Sequence, residues 1–594
     1  MSRRALLILA TVAAALMLTI QLTAGDEEPA SRTLERLLDD AWQQRLENDP
    51  LMATRVGVHR YNHLLPQATE EEYRRRRSQY EDHLERLRAI DRSALSRDDQ
   101  IDYDVFRQLT EGWIGEIDYH AYRMPLTAGS GFHTEFPQLP DRQPLATVDD
   151  YEDYVSRLQG FLEYTRQNIG LMRRGLETGH TLPRVALEGY ESQVRSHVVE
   201  NPEESLLYAP FEDFPDAVPA AARERLETAG RRAIETSVVP AYRELDVFLG
   251  EEYLPATRTA PGASELPRGA DFYTHRVEYF TSLPLTPREI HETGLEEVAR
   301  IRREMDRVIE ETGFEGDFDA FVDFLRTDEQ FYAKTPEELL RRVSWVLKRM
   351  DGKLPELFGR LPRTPYGVKP VPDFLAPKIY TAYYEPPAGD GSRAGYYAVN
   401  TYNLPSRPLY EIEALSFHEA VPGHHLQIAL QQEIEDLPEF RRFEGFTAFT
   451  EGWALYSERL GLEAGFYEDP YSNFGRLTYE MWRALRLVVD TGIHAFGWNR
   501  QRAIDYMAEN SALSLHNITT EVDRYISWPG QALAYKTGEL EIRRLRKKAE
   551  DSLGAAFDLR SFHDVVLGSG AVPLPVLEDN VTRWIETQGR GDQT

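Results

Sequence analysis

Residues that can hold and use a metal ion stand close together in one short segment. The stretch SFHEAVPGHHLQ, residues 416–427, contains His418-Glu419, followed by His424 and His425. His-Glu opens the H-E-x-x-H pattern, in which two histidines one helical turn apart bind zinc and the glutamate polarises the bound water. A proline stands where the second histidine of that pattern belongs. The segment therefore predicts a metal site only if the chain departs from a straight helix.

The spacing of the histidines does not suit a regular helix. At about 100° per residue, a six-residue offset turns His424 about 120° away from His418, whereas His425 lies roughly 10 Å along the axis. On a straight helix, therefore, neither His418 with His424 nor His418 with His425 could form two bonds of about 2.0–2.1 Å to one ion. The proline lacks an N–H, and the glycine after it accepts unusual dihedrals. We predict a bulge or broken turn at Val421–Pro422 that places His424 one turn from His418, with His425 as the alternative ligand.

A carboxylate farther along the chain is expected to complete the ligand set. A catalytic zinc site uses three protein ligands and one open position. The segment FTEGWALYSERLG, residues 449–461, places Glu451 at the start of an apolar helical pattern, where a carboxylate is costly unless it is paired or bound to metal. Glu444 has a similar setting in FEGFTAF and is the rival ligand. Glu458, two turns beyond Glu451, is predicted to orient a ligand histidine.

These segments resemble known metallopeptidases. EGWALYSERLG is similar to the N-E-G-F-A-x-Y-x-E segment that carries the third ligand in aminopeptidase N-type gluzincins, and together with HEAVPGHHLQ it resembles the bacterial domain-of-unknown-function family 885. The resemblance extends through most of residues 270–550. It implies a mostly helical, deep-cleft fold like that of angiotensin-converting enzyme, thimet-type oligopeptidases and the Taq-type carboxypeptidase. Those relatives carry H-E-x-G-H, so Val421–Pro422 is an apparent insertion.

The resemblance also implies roles for the residues of the first segment and its partner. His418, His424 and Glu451 would hold one Zn²⁺ ion. Glu419 would act as general base toward the water that the ion activates.

Residues 516–539, HNITTEVDRYISWPGQALAYKTGE, offer candidates for the rest of the chemistry. A tetrahedral oxyanion needs a neutral donor besides the metal, and Tyr525 and Tyr535 are the candidates, with a core position as the alternative for each. Arg524 or Lys536 is expected to bind the C-terminal carboxylate of a substrate. Outside this range, we also assign substrate binding to Asn400.

The leading functional hypothesis is an exported zinc metallopeptidase that hydrolyses short peptides as an oligo-, di- or carboxypeptidase. One alternative is a metal-dependent amidase or hydrolase of a non-peptide substrate, such as a cell-wall fragment. Another is a periplasmic binding protein that has the fold without catalysis. Glu419 argues against this last alternative, because a pure binding site needs no base beside its ligands.

Composition limits the partners. The chain has 594 residues and a net charge of −30, so it would repel the phosphates of nucleic acid. It has no cysteine, which excludes disulfides, thiolate metal ligands and a lipid-modified cysteine. Any zinc ion must be held by histidine and carboxylate.

The N-terminus, residues 1–24, has the pattern of an export signal. Arg3 and Arg4 precede an uncharged run over residues 5–24, which ends in a small-residue sequence suited to cleavage. The run is also just long enough to span a bilayer. We therefore expect either a cleaved signal peptide and a periplasmic or secreted protein, or a protein tethered to the inner membrane by residues 5–24.

The elements that must position these residues are mainly helical. We predict a large two-lobed α fold with a deep central cleft, in which residues 25–270 form a cleft wall or lid and 271–594 form the catalytic half. A Pro/Gly-rich break at 254–270 suggests the boundary, and similar breaks lie at 124–146 and 361–376. Residues 378–404 are predicted to form a β-hairpin beside the metal site, as ordinary sheet or as an edge strand for extended peptide. The predicted helices cover 33–48, 68–92, 97–118, 147–177, 220–250, 286–313, 335–350, 472–496 and 536–552.

Overall fold

Local capping signals determine where several of the long helices begin and end. In the computed structural model, the helix Pro287–Thr312 begins after a capping box in which Thr286 and Glu289 satisfy each other's backbone N–H groups. It ends at Gly313, which adopts the left-handed conformation with φ 70°. Apolar residues at three- and four-residue spacing form its buried face. The predicted bounds of this helix, 286–313, are confirmed.

The structure describes residues 29–372, 376, 381–387 and 393–591. These residues are mainly helical, as predicted. The longer helices are α1 Ala30–Asn48, α2 Pro50–Arg55, α3 Glu70–Arg88, α4 Arg97–Asp118, α5 Val148–Thr178, α6 Ala220–Ala233, α7 Val239–Val247, α8 Gly269–Thr281, α9 Pro287–Thr312, α10 Phe318–Thr327, α11 Pro336–Asp351, α12 Ile412–Glu419, α13 His424–Gln432, α14 Glu439–Phe443, α15 Thr447–Glu463, α16 Pro470–Ala495, α17 Arg500–Asn510, α18 Leu515–Ser527, α19 Ala534–Leu553, α20 Leu559–Leu567 and α21 Leu574–Gly591. Helices of three or four residues lie at Phe132–Glu135, Leu139–Arg142, Glu191–Val194, Leu254–Ala256 and Leu354–Leu357.

The helical run predicted over 220–250 is continuous but changes its pitch twice. π-helical turns at Ile234–Val238 and Phe248–Tyr253 separate α6, α7 and the short helix after them. A proline, Pro240 or Pro255, occupies the second position after each π-helical turn. Because proline cannot donate the usual backbone hydrogen bond, a wider turn before it accommodates the missing bond.

A small three-stranded sheet stands between the α11 region and α12. Its strands are β1 Tyr366–Pro370, β2 Ala382–Glu385 and β3 Gly395–Val399, in the order β1-β3-β2. β2 and β3 pair antiparallel, which confirms the hairpin, although its tip at 388–392 lies outside the described residues. β1 pairs with β3 in parallel. We predicted a Pro/Gly-rich break without regular structure over residues 361–376, so strand β1 corrects that prediction.

The largest hydrophobic core joins the two ends of the chain. It contains buried residues of α1, α3 and α4 together with residues of α12, α15, α19 and α21. The predicted boundary near residue 270 therefore separates two stretches of sequence that share a core. A second core lies entirely within residues 126–253. Within the described residues no helix is long and apolar enough to cross a membrane, and the predicted export segment, 1–24, lies outside them.

Close backbone contacts fix the helices that surround the candidate metal-binding segment. α9 and α16 pack along each other, and a Cβ atom on Gly294 would lie 2.8 Å from side-chain atoms of Leu487 and Val488. α15 and α19 also pack together, and a Cβ atom on Gly452 would lie 2.5 Å from the backbone of Gly538. Only glycine allows helices to approach this closely at these two points.

Candidate metal centre

The helix that carries the first candidate ligand breaks at the Pro-Gly step. α12 ends at Glu419, Ala420 leaves the helical region with φ −106° and ψ −104°, and α13 begins at His424. The Val421–Pro422 peptide bond is cis. The predicted broken turn is confirmed, and the histidines stand on two helices rather than on one.

Packing against neighbouring groups holds this broken turn in place. A Cβ atom on Gly423 would lie 2.0 Å from the carbonyl oxygen of His418, so no other residue fits there without movement. The indole Nε1 of Trp453 donates a hydrogen bond to the carbonyl oxygen of Pro422 at 2.9 Å. The backbone N–H of His425 donates to the carbonyl of Ala420 at 3.0 Å. The hydrogen bond from Trp453 therefore holds the turn against α15, the helix that supplies the third candidate ligand.

The structure brings His418, His424 and Glu451 together. One possible ligand atom from each lies within 4.8 Å of the others. The Oε2 atom of Glu451 is 3.4 Å from Nε2 of His418 and 3.6 Å from Nε2 of His424. Three ligands bound tetrahedrally at about 2.0–2.1 Å would be separated by about 3.3–3.4 Å. The Oε2 atom is buried and has no hydrogen-bond partner among the described residues, so this group fits a zinc ion.

Glu458 orients the first histidine. Its Oε1 atom lies 2.8 Å from Nδ1 of His418, and both side chains are buried. A carboxylate bound to one ring nitrogen of a histidine directs the other nitrogen toward the metal. Arg483 approaches the same carboxylate oxygen at 3.6 Å. The predicted supporting role of Glu458 agrees with this contact.

Electrostatics in the group favour positive charge. Burial lowers the pKa of His418, but the carboxylates of Glu451 and Glu458 outweigh burial and raise that pKa to about 9. Burial raises the pKa of Glu451, but contact with His418 and the charge of His424 lower it to about 2. The carboxylates therefore favour a positive charge at His418. Burial lowers the pKa of His424 to about 4, so His424 is neutral at neutral pH, the form in which histidine binds a metal.

Glu419 lies beside the group and has the properties of a base. Burial is the largest cause that raises its pKa to about 7, against the lowering effect of His418. A carboxylate whose pKa lies near neutrality can accept a proton and release it again at physiological pH.

The two rival ligands lie elsewhere. His425 uses both ring nitrogens, since Nδ1 is 2.8 Å from the Tyr384 hydroxyl and Nε2 is 3.2 Å from the Thr364 carbonyl. Glu444 accepts a hydrogen bond from Nε of Arg45 at 3.2 Å. Neither belongs to the group of possible ligands. His425 instead joins α13 to the sheet.

The two candidate tyrosines have different surroundings. The Tyr535 ring lies 4.4 Å from the guanidinium carbon of Arg486. Burial and the charge of Glu451 raise the pKa of Tyr535, so its hydroxyl keeps its proton at neutral pH. The Tyr525 hydroxyl accepts hydrogen bonds from Nε1 of Trp482 and Nε of Arg486, both at 3.0 Å. Its own O–H is hydrogen-bonded to Glu521, so all three hydrogen-bonding positions of the hydroxyl are used in this structure. The catalytic role of Tyr525 stays a prediction.

The substrate-binding candidates are engaged within the protein. Lys536 is fully buried, and its ammonium group lies 2.9 Å from carboxylate oxygens of Glu297, Glu480 and Glu539. Three carboxylates thus surround the ammonium group, which gives Lys536 a structural role. Its role in substrate binding stays a prediction.

Arg524 and Asn400 are also tied to neighbouring residues. Arg524 donates to Glu521 at 3.0 Å and to Gln531 at 2.7 Å. Asn400 is buried, donates to the carbonyl of Ala376 at 2.8 Å and accepts from the backbone N–H of Tyr402 at 2.9 Å. These contacts make both side chains parts of the protein framework, and their roles in substrate binding stay predictions.

Sequence reasoning missed two buried arginines on α16. Arg483 and Arg486 stand three residues apart in the apolar run MWRALRLVVD. Arg483 lowers the pKa of Glu419, and Arg486 lowers that of Glu451. A signal was present, because charged residues inside an apolar helix are costly unless they have partners or a function.

Fold and site together define a mainly helical protein with a partly buried His-His-Glu group on three helices. The family "Bacterial protein of unknown function (DUF885)" matches residues 50–581, and the chain belongs to this family. No curated protein matches the chain.

Two solved structures resemble the chain over nearly its whole length. "The putative lipoprotein from Colwellia psychrerythraea" is 30% identical with a TM-score of 0.89, over 94% of this chain and 99% of that one. "A putative lipoprotein of unknown function from Shewanella oneidensis" is 18% identical with a TM-score of 0.71, over 93% of this chain and 99% of that one. The second likeness concerns the fold alone.

Proposed function

We propose that the protein is an exported zinc-dependent metallopeptidase that hydrolyses short peptides. The observation that carries this proposal is the grouping of His418, His424 and Glu451 with the half-buried carboxylate of Glu419 beside them. A zinc ion held by three protein ligands supplies Lewis-acid activation of water and of a carbonyl group. Nothing but histidine and carboxylate is needed for this ligand set, which suits a chain without cysteine.

The residues of the chain divide the remaining work. Glu419 accepts the proton of the attacking water and returns it to the leaving amine. Tyr535, which keeps its proton at neutral pH, donates a hydrogen bond to the developing oxyanion. Glu458 keeps Nε2 of His418 directed at the centre of the group.

We extend the proposal to the gluzincin metallopeptidases as the wider clan. The match of Glu451 and Glu458 to the third-ligand segment of those enzymes supports it, as does the mainly helical fold. On this proposal the protein has two lobes around a deep cleft, and the cleft restricts substrates to short peptides.

Export is supported by the basic and apolar N-terminal pattern and by the similar Colwellia protein, which is described as a putative lipoprotein. This chain has no cysteine to carry a lipid. We therefore place it in the periplasm or outside the cell, released by cleavage after residue 24 or held by residues 5–24.

Metal analysis and a peptide digest together test the function. We expect one zinc ion per chain by elemental analysis and chelator-sensitive cleavage of a short-peptide library by mass spectrometry. Glu419→Gln should keep the zinc and lose activity by about 10²–10⁴-fold, the usual contribution of a general base. Glu444→Gln, which changes a carboxylate outside the group, should retain both. Protein without a stoichiometric metal ion, or full activity in Glu419→Gln, would refute the proposal.

A further inference from the structure

One arginine beside the metal centre has a nitrogen that the protein leaves without a partner. Arg486, on α16, is 3% exposed. Its Nε donates to the Tyr525 hydroxyl at 3.0 Å and its Nη2 to Oε2 of Glu521 at 3.2 Å. Its guanidinium lies over the rings of Trp482 and Tyr535, at 4.5 and 4.4 Å. These contacts hold the guanidinium in one plane.

The remaining nitrogen, Nη1, is buried and has no hydrogen-bond partner among the described residues. A guanidinium is planar, and Nη1 lies on the side opposite the Nε–H that Tyr525 accepts. Its two hydrogens therefore point away from the groups that fix the side chain. A buried charged donor without a partner is costly, and such a group is expected where a ligand supplies the partner.

The position of Arg486 beside the candidate site indicates the ligand. Its guanidinium carbon lies 4.4 Å from the ring centre of Tyr535, the candidate oxyanion donor. α19, which carries Tyr535, packs so closely against α15, which carries Glu451, that a Cβ atom on Gly452 would lie 2.5 Å from the backbone of Gly538. The charge of Arg486 also lowers the pKa of Glu451, which agrees with this placement. Oε2 of Glu521, the carboxylate that pairs with Arg486, is shared with Arg524.

We propose that Arg486 binds the C-terminal carboxylate of the substrate, so that the preferred substrates are short peptides whose scissile bond lies near a free C-terminus. Arg486 takes the role that the sequence assigned to Arg524 or Lys536. A guanidinium that contacts two aromatic rings and has one buried nitrogen without a partner is well suited to a planar carboxylate. The inference rests on the proposed function for the bond that is cleaved, but the binding step does not require cleavage.

Calorimetry with matched peptides tests the proposal without catalysis. Zinc-loaded Glu419→Gln protein is titrated with acetyl-trialanine, with its C-terminal amide, and with acetyl-Ala-Asp-Ala amide, whose carboxylate is on a side chain. We expect the free acid to bind about 10–100-fold more tightly than either amide, the usual range for a hydrogen bond to a charged group. Adding Arg486→Gln should remove the difference, and Arg486→Lys should restore part of it.

Arg441→Lys provides the matched control, because Arg441 is equally buried but pairs with Asp102 in another part of the core. It should keep the preference for the acid. Zinc content and circular dichroism establish that each variant is folded, and Arg486→Lys serves if Arg486→Gln does not fold.

The proposal is overturned if the acid fails to bind, if acid and amide bind equally, if the aspartate amide binds as tightly as the acid, or if the preference survives Arg486→Gln. Failure of the proposed function would give a different experimental result. In that case the protein prefers the acid through Arg486 in the titration, whereas the unmutated protein cleaves no peptide.

Discussion

Glu458 is the residue whose replacement tests the metal centre without touching a ligand. Its Oε1 atom is 2.8 Å from Nδ1 of His418, and the pair is buried. This contact fixes the ring orientation and makes the opposite nitrogen a stronger ligand. Removing the carboxylate should therefore weaken zinc binding while leaving His418, His424 and Glu451 in place.

Two substitutions of Glu458 distinguish how the orientation of the His418 ring and the charge of the carboxylate each affect zinc affinity. Glutamine at position 458 can still accept the hydrogen bond from Nδ1, so Glu458→Gln loses the charge and should bind zinc about tenfold more weakly. Alanine loses both, and Glu458→Ala should bind about 100-fold more weakly, the upper part of the range for such supporting residues. These changes correspond to about 1.4 and 2.7 kcal/mol. The nearby guanidinium of Arg483, 3.6 Å from the same oxygen, remains in both variants.

Competition for zinc with a chromophoric chelator measures these affinities, and circular dichroism shows whether each variant is folded. Glu444→Gln is the control, since that carboxylate contacts Arg45 and lies outside the ligand group. Zinc affinities of folded Glu458→Gln and Glu458→Ala equal to that of the unmutated protein would refute the assignment of His418 as a ligand oriented by Glu458.

Three further predictions concern stability. In metal-free protein, the raised pKa of His418, about 9, gives stability that is complete below about pH 6.5 and lost as the pH rises through 9. The melting temperature should fall over this window, and the fall should be smaller with zinc or in His418→Gln. Gly452→Ala should lower the free energy of unfolding in urea by on the order of 3 kcal/mol, because its Cβ would lie 2.5 Å from the backbone of Gly538. Gly170→Ala is the control. No atom lies within 4 Å of a Cβ at this position in α5, so the substitution should raise the free energy of unfolding by about 0.5–1 kcal/mol. Lys536→Met should lower the free energy of unfolding by about 3–5 kcal/mol, because three carboxylates would lose their cationic partner. The zinc content should not change. A loss of zinc, or unchanged stability, would contradict the structural role of Lys536.

The long helices could be predicted from the sequence because their signals are local. The caps of α9 lie within a few residues of its ends, and its buried face follows from a regular spacing. Strand β1 could not be predicted in the same way. It reads YGVKP, with a glycine and a proline, and it exists because it pairs with β3 about thirty residues later.

The residue types of the candidate site were also visible in the sequence, but the choice among neighbours was not. His425 and His424 are adjacent, and His425 differs only because Tyr384 and Thr364 engage its two nitrogens. Glu444 is engaged by Arg45, a residue 399 positions earlier. Such distant partners leave no local pattern, so the alternatives could be separated only in three dimensions.

Two glycines that are not candidate ligands allow the helices of the candidate site to approach each other. Gly452 and Gly538 let the backbones of α15 and α19 touch, since a Cβ atom on Gly538 would lie 1.8 Å from the carbonyl oxygen of Ala448. Glu451 is next to the first glycine, and Tyr535 is nearly one turn before the second, so the contact brings the candidate ligand and the candidate oxyanion donor toward the same space. Their spacing in the sequence, 84 positions, gives no hint of this. Gly452 therefore supports the candidate metal centre through helix packing, and a larger residue at this position would displace the neighbouring Glu451.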